Sequence, residues 1–201
     1  MLDIGRIHDI FSKHGGIMRT CELIRERVYY GHLSHLIKNG YVEKIKYGYY
    51  RWLSGSNREV ELVKSLFSDG ILCMDTALSY YGYTKKKADS WSVAVSKDSG
   101  KSRFSKLKKL VVKPYYVEPK VLELGLDFCD IDGVSVRMYD RERVICDLYR
   151  YRHKIDKDTF YTAIKRYLLD PAKNISRLLE YAGPLRAAGF AKNIAEACKY
   201  M

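Results

Sequence analysis

The chain has 201 residues, 47% of them hydrophobic, which is enough apolar mass for a buried core in one domain or two small ones. Thirty-six Lys and Arg against 24 Asp and Glu leave a formal charge of +12 and a pI near 9.4, a balance that favours a polyanionic partner. There is no stretch of eighteen apolar residues, no charged-then-apolar leader, and an odd set of five cysteines never spaced C-x-x-C, so a soluble cytoplasmic protein with free thiols and no membrane contact is expected.

Ile4, Ile7, Ile10 and Phe11 recur at helical spacing and stop at Gly15-Gly16, predicting a first helix. Thr20 is placed to cap a short second helix reaching about Arg27. A third is expected from Tyr30 to Asn39, closed by Gly40. YVEKIK and YYRWL then read as two strands joined at Tyr47-Gly48. Three helices and a hairpin predict a winged helix-turn-helix over residues 1–55.

On the third helix, 100° per residue gathers Leu33, Leu36 and Ile37 on one face and turns Gly31, His35 and Lys38 away, flanked by His32, Ser34 and Asn39. No carboxylate stands between Arg27 and Glu43, whereas a merely solvated helix usually carries Glu–Lys pairs. Small, polar and basic side chains suit a helix lying in a major groove. Arg19, Thr20, Tyr30, His32, Ser34, His35 and Lys38 therefore form a candidate DNA-reading surface, and Lys44, Lys46, Tyr47 and Arg51 on the wing suit phosphate contacts. The competing reading makes Tyr41, Tyr49, Tyr50 and Trp52 core and the lysines edge-strand gatekeepers; the two are compatible.

The turn-formers Ser54-Gly55-Ser56-Asn57 predict a boundary, with a second domain over residues 57–201. A helix is expected over Glu59–Phe67, and another capped by Asp75 and ended at Gly82. Strands follow at 91–95 and 110–117, then a hairpin of LDFCDI and VSVRMY about a type I′ turn at Asp132-Gly133. From Asp140 onward the pattern is helical, with about four helices broken near Ile155, Pro171 and Pro184. The fold class is α+β: the winged helix, then a small sheet with a C-terminal helical bundle.

Between Lys85 and Lys113, ten basic residues face only Asp89 and Asp98, a net +8. Lys85, Lys86, Lys87, Lys101, Arg103, Lys106, Lys108 and Lys109 make a candidate basic patch, either a solvated loop or a polyanion-facing surface. SKDSGKS at 96–102 ends like a phosphate-binding loop but has Val95 where the first glycine belongs, so a P-loop-like phosphotransferase ranks last. Asp127, Asp130 and Asp132 read as a turn, because Phe128 and Tyr139 stand where a calcium loop needs acids. His32 and His35 lack a third ligand at matching spacing. No metal, cofactor or catalytic group is expected.

MDTALSYYGYT, WSVAVSK and above all YDRERVICDLYRYRHKIDKDTFYTAIKRYL give the chain a likeness that covers almost its whole length. It resembles the AbiEi family of abortive-infection antitoxins. The most specific piece runs from Arg141 to Leu148, followed by Arg150 and Arg152, with Val144 where threonine is common. The resemblance implies a bacterial or mobile-element antitoxin of a type IV toxin–antitoxin system in phage defence. Its winged helix would repress transcription by binding inverted repeats of double-stranded DNA in its own promoter. Its C-terminal domain would oppose a nucleotidyltransferase-like toxin without a stable complex, with Arg141, Arg150 and Arg152 the candidates for antitoxicity. Asp140 would cap their helix, and Asp147 would pair with Arg143 or Arg150. The alternative is an RNA-binding protein that shields a toxin's substrate.

Overall fold

In the computed structural model, residues 3–53, 58–104, 107 and 110–200 are described, and the chain divides into two units. The first is Met1–Ser68 with Ser102–Leu110; the second is Asp69–Lys101 with Val111–Met201.

Asp3 starts the first unit by accepting the Arg6 amide at 2.9 Å, which caps α1 (Ile4–Lys13). There follow β1 (Ile17–Arg19), α2 (Thr20–Arg25), α3 (Tyr30–Lys38), β2 (Val42–Lys46), β3 (Tyr49–Trp52) and α4 (Glu59–Leu66). The strands form an antiparallel sheet in the order β1-β3-β2, with Met18 opposite Tyr50 and Glu43 opposite Arg51. Phe11, Met18, Leu23 and Leu36 are fully buried in its core, each contributing roughly 1.5–3 kcal/mol of transfer free energy. Trp52 closes the core, with its ring 5.6 Å from Phe11 and 5.9 Å from Tyr41.

Several local expectations need correction here. Arg19, not Thr20, occupies the cap position of α2, and its amide is taken by the Glu22 carboxylate at 2.6 Å. Thr20 instead donates its amide to the Gly48 carbonyl at 2.9 Å. Ile37, expected in the core, is 41% exposed, because the apolar stripe of α3 is only as wide as Leu33 and Leu36. The three-residue β1 was too short to show an alternation.

The units also depart from the division expected at residues 55 and 57. Residues 54–57 lie outside the described residues, but α4 and residues 102–110 belong with the first unit. Phe67 stacks on Phe104 with centroids 4.8 Å apart, and the Lys46 ammonium donates to the Arg103 carbonyl at 3.1 Å.

The second unit contains β4 (Ile71–Leu72), α5 (Met74–Tyr80), β5 (Trp91–Ser96), β6 (Val112–Val117), α6 (Pro119–Leu122), β7 (Leu126–Ile131) and β8 (Val134–Tyr139). Its sheet is mixed, in the order β6-β5-β4-β8-β7: β5 pairs parallel with β6, β4 parallel with β8, and the other neighbours are antiparallel. Asp132 and Gly133 have φ of 53° and 77°, the two left-handed residues of the type I′ turn, and the Asp130 carboxylate accepts the Gly133 amide at 2.8 Å. Cys73, not Asp75, caps α5; Asp75 sits in its first turn. The chain ends in α7 (Arg141–Arg150), α8 (Lys157–Leu169), α9 (Ile175–Ala182) and α10 (Ala188–Ala197).

α7 is the centre of this unit, buried from Glu142 to Leu148. Asp140 caps it, accepting the Arg143 amide at 2.9 Å. A helix buried on all sides must satisfy every polar group it carries. Glu142 accepts the Asn174 amide at 2.7 Å and the Tyr167 hydroxyl at 3.3 Å. The Arg143 guanidinium, 0% exposed, donates to Asp147 at 3.0 Å and to the carbonyls of Val121 and Leu124 at 2.6 and 2.5 Å, and it faces the Tyr139 ring at 4.1 Å.

Candidate nucleic-acid interface

α3 buries Leu33 and Leu36 and leaves Tyr30, Gly31, Ser34, His35, Lys38 and Asn39 exposed. His35 is steadied by Asn39, whose amide nitrogen lies 3.3 Å from Nε2 and donates to the His35 carbonyl at 2.8 Å. His32 is half-buried, with Nδ1 3.4 Å from the Tyr29 amide that donates to it, so it shapes the helix start more than it faces outward.

The β2–β3 hairpin carries Tyr47 at its tip, 92% exposed, with the Lys44 ammonium 5.3 Å over its ring. Lys46 and Arg19 both approach the ring of Tyr49, at 4.5 and 5.5 Å. Lys46 is half-buried, and burial, then the like charges of Arg103 and Arg19, lowers its pKa below the ordinary lysine value. Arg51 does not belong on this surface. It is 6% exposed and spends its charge on Glu43, its cross-strand neighbour, so it holds the hairpin together from within.

The basic run is divided between the two units. Lys85, Lys86, Lys87 and Lys101 belong to the second unit and Arg103 to the first, while Lys106, Lys108 and Lys109 lie outside the described residues. Much of its charge is matched within the second unit: Lys86 meets Asp156 at 3.2 Å, Lys97 meets Glu118 at 2.7 Å, and Lys113 meets Asp75 at 3.3 Å. Lys101 opens a 3-10 turn, Lys101–Phe104, and not the α-helix a phosphate-binding loop needs.

Arg141, Arg150 and Arg152, the residues expected to carry antitoxicity, have different surroundings. Arg141 is half-buried, paired with Asp170 at 3.0 Å and lying 4.7 Å over Tyr81. Arg150 turns onto Asp147 at 2.8 Å, so Asp147 is shared by Arg143 and Arg150. Arg152 is exposed, stacked 4.3 Å over Tyr149. The structural weight of Arg143 and Glu142 was hidden in the sequence, because charged residues on a helix ordinarily face water. Among the described residues no three His, Cys, Asp or Glu side chains gather as a metal site, and no helix is long and apolar enough to cross a membrane.

No protein-family model matches the chain, and no curated protein matches it.

Proposed function

We propose that the first unit is a winged helix-turn-helix that binds double-stranded DNA, with α3 in the major groove and the β2–β3 hairpin against the backbone. The observation that carries this reading is the outer face of α3. It offers Ser34, His35 and Lys38 beside Gly31, without a carboxylate from Val28 to Val42, next to a hairpin tip bearing Lys44 and Tyr47. The likeness to AbiEi antitoxins extends the reading. The chain would repress its own promoter at inverted repeats, in the cytoplasm, and its second unit would oppose a nucleotidyltransferase-like toxin in phage defence without a stable complex and without being an enzyme.

The test is anisotropy with the inverted repeat upstream of the gene and with scrambled duplex. His35→Ala should weaken binding to the repeat by about 1–3 kcal/mol and leave random DNA nearly untouched. Lys44→Ala with Lys46→Ala should weaken both alike and lower the salt slope by up to about two. Equal affinity for repeat and scramble in the unsubstituted protein would end the repressor reading. Rescue of growth from a toxin expressed under an unrelated promoter tests the antitoxin reading separately.

One observation favours a second reading. Tyr30 and Tyr47 are 80% and 92% exposed, and such rings can stack on unpaired bases. Binding to single-stranded RNA that exceeds duplex binding and falls with Tyr30→Ala and Tyr47→Ala would favour an RNA-shielding protein.

A further inference from the structure

Four segments of the second unit that are distant in sequence close around a cleft of about 330 Å³: the first turn of α5, the loop 84–90, the start of β6 and the start of α8. It is lined by Lys86, Lys87, Lys113 and Lys154, with Asp75, Asp89 and Asp156 between them. Only Leu78, Ala88 and Ile155 are apolar among its walls.

The lysines are held in two ways. Lys86 and Lys113 reach across the cleft to Asp156 and Asp75 at 3.2 and 3.3 Å, longer than the roughly 2.7–2.9 Å of tight charge-assisted bonds. All four of these side chains are more than a third exposed, so their ion pairs are weak and exchangeable. Lys87 and Lys154 are exposed and have no carboxylate partner among the described residues. The amide of Thr159, then its hydroxyl, then Lys86 hold the Asp156 carboxyl down to about 2.

We propose that this cleft binds a small molecule bearing a linear polyphosphate, of the nucleoside triphosphate kind. Lysine is a compact point charge with three donors, and four of them around one cleft suit phosphate oxygens spread along a chain. Its volume lies at the small end of ligand sites, and its walls offer little apolar area for a large hydrophobic body. A polyphosphate draws Lys86 and Lys113 from their aspartates and joins them to Lys87 and Lys154, a concave arrangement unlike the ridge of charge that follows a duplex backbone. The proposal stands apart from DNA binding, since every residue it uses lies in the second unit.

Calorimetry of the full chain with tripolyphosphate, ATP and inorganic phosphate tests it. Tripolyphosphate and ATP should bind one to one and saturably, inorganic phosphate at least about tenfold more weakly, and all less tightly as salt rises. Lys87→Ser with Lys154→Ser should weaken tripolyphosphate about tenfold. Both side chains are exposed, so the fold should survive, which circular dichroism checks. Lys64→Ser, in the first unit, should change nothing. Binding that never saturates, or that the double substitution leaves unchanged, overturns the proposal. So does loss of tripolyphosphate binding to an equimolar random duplex, which would make the surface a nucleic-acid contact.

Discussion

Gly125 and Arg143 meet so closely that a β-carbon on Gly125 would lie 2.5 Å from the β-carbon of Arg143, and 3.1 Å from the ring of Tyr181. Gly125 also has φ of 76°, in the left-handed region. The tight approach is what lets the Arg143 guanidinium reach the carbonyls of Val121 and Leu124 on the segment leading into this glycine. Gly125→Ala should therefore destabilise by about 3 kcal/mol, combining strain at positive φ with overpacking against backbone-proximal atoms. Urea unfolding measures it, and a loss below about 1 kcal/mol would mean that α7 shifts freely.

Arg143 itself should tolerate no replacement. Arg143→Met leaves two carbonyls without their donors and a buried Asp147 with one cation, at a cost of about 3–5 kcal/mol. Arg143→Lys should recover little, because an ammonium cannot span the carbonyls and the carboxylate as the planar fork does. Arg150→Ala, at the half-buried end of the same network, should cost about 1 kcal/mol. Equal losses in Arg143→Lys and Arg150→Ala would remove the special role given to the fork.

Glu142 makes the stability of the second unit depend on pH in a definite direction. Burial raises its carboxyl above the usual 4.5, against the lowering effect of the Asn174 amide. Between the unfolded and folded values the native state holds more protons, so this contribution is full below the unfolded value and is lost as pH rises through the folded one. Glu142→Gln keeps an acceptor and removes the titration. The melting temperature of the variant should thus gain on the unsubstituted protein as pH rises above about 4.5. A gain in the opposite direction would show that Asn174 and Tyr167 outweigh burial.

Comparing Arg51→Ala with Lys44→Ala separates a structural cation from one proposed to contact DNA. Arg51→Ala removes the buried partner of Glu43 and should cost about 3 kcal/mol in stability. Lys44→Ala, exposed at the hairpin, should leave stability within about 0.5 kcal/mol and lower the salt slope of DNA binding by about one. Thermal melts and salt titrations on the two variants should give opposite patterns.

A fragment of residues 1–56 should fail to fold, because it omits α4 and the segment 102–110 that complete the first unit. Circular dichroism showing cooperative melting of that fragment would restore the boundary expected from the turn-formers at 54–57.

What the sequence made legible follows from how each element stabilises itself. α1, α3 and the β2–β3 hairpin carry their own periodicity and turn chemistry, and Asp132-Gly133 demands its turn regardless of context. β1 and β4 have three and two residues and exist only through their neighbours, so no local pattern marks them. Arg51 alternates like a surface residue and is buried only because Glu43 stands across the strand. The α7 arginines look alike in sequence, yet their fates differ with partners 22, 29 and 3 residues away, as Arg143, Arg141 and Arg150 show. The pairings across 22 and 29 residues leave no periodic trace.

The detour of residues 102–110 between β5 and β6 also sets an order of events during synthesis. Domains on a ribosome ordinarily fold as units, the N-terminal one first. Here the first unit stays incomplete until Leu110 has emerged, and by then β4, α5 and β5 of the second are already outside, waiting for β6. The two units mature in overlapping intervals, so a stall or truncation before residue 110 leaves both unfinished, and neither can be exchanged between chains as a contiguous cassette.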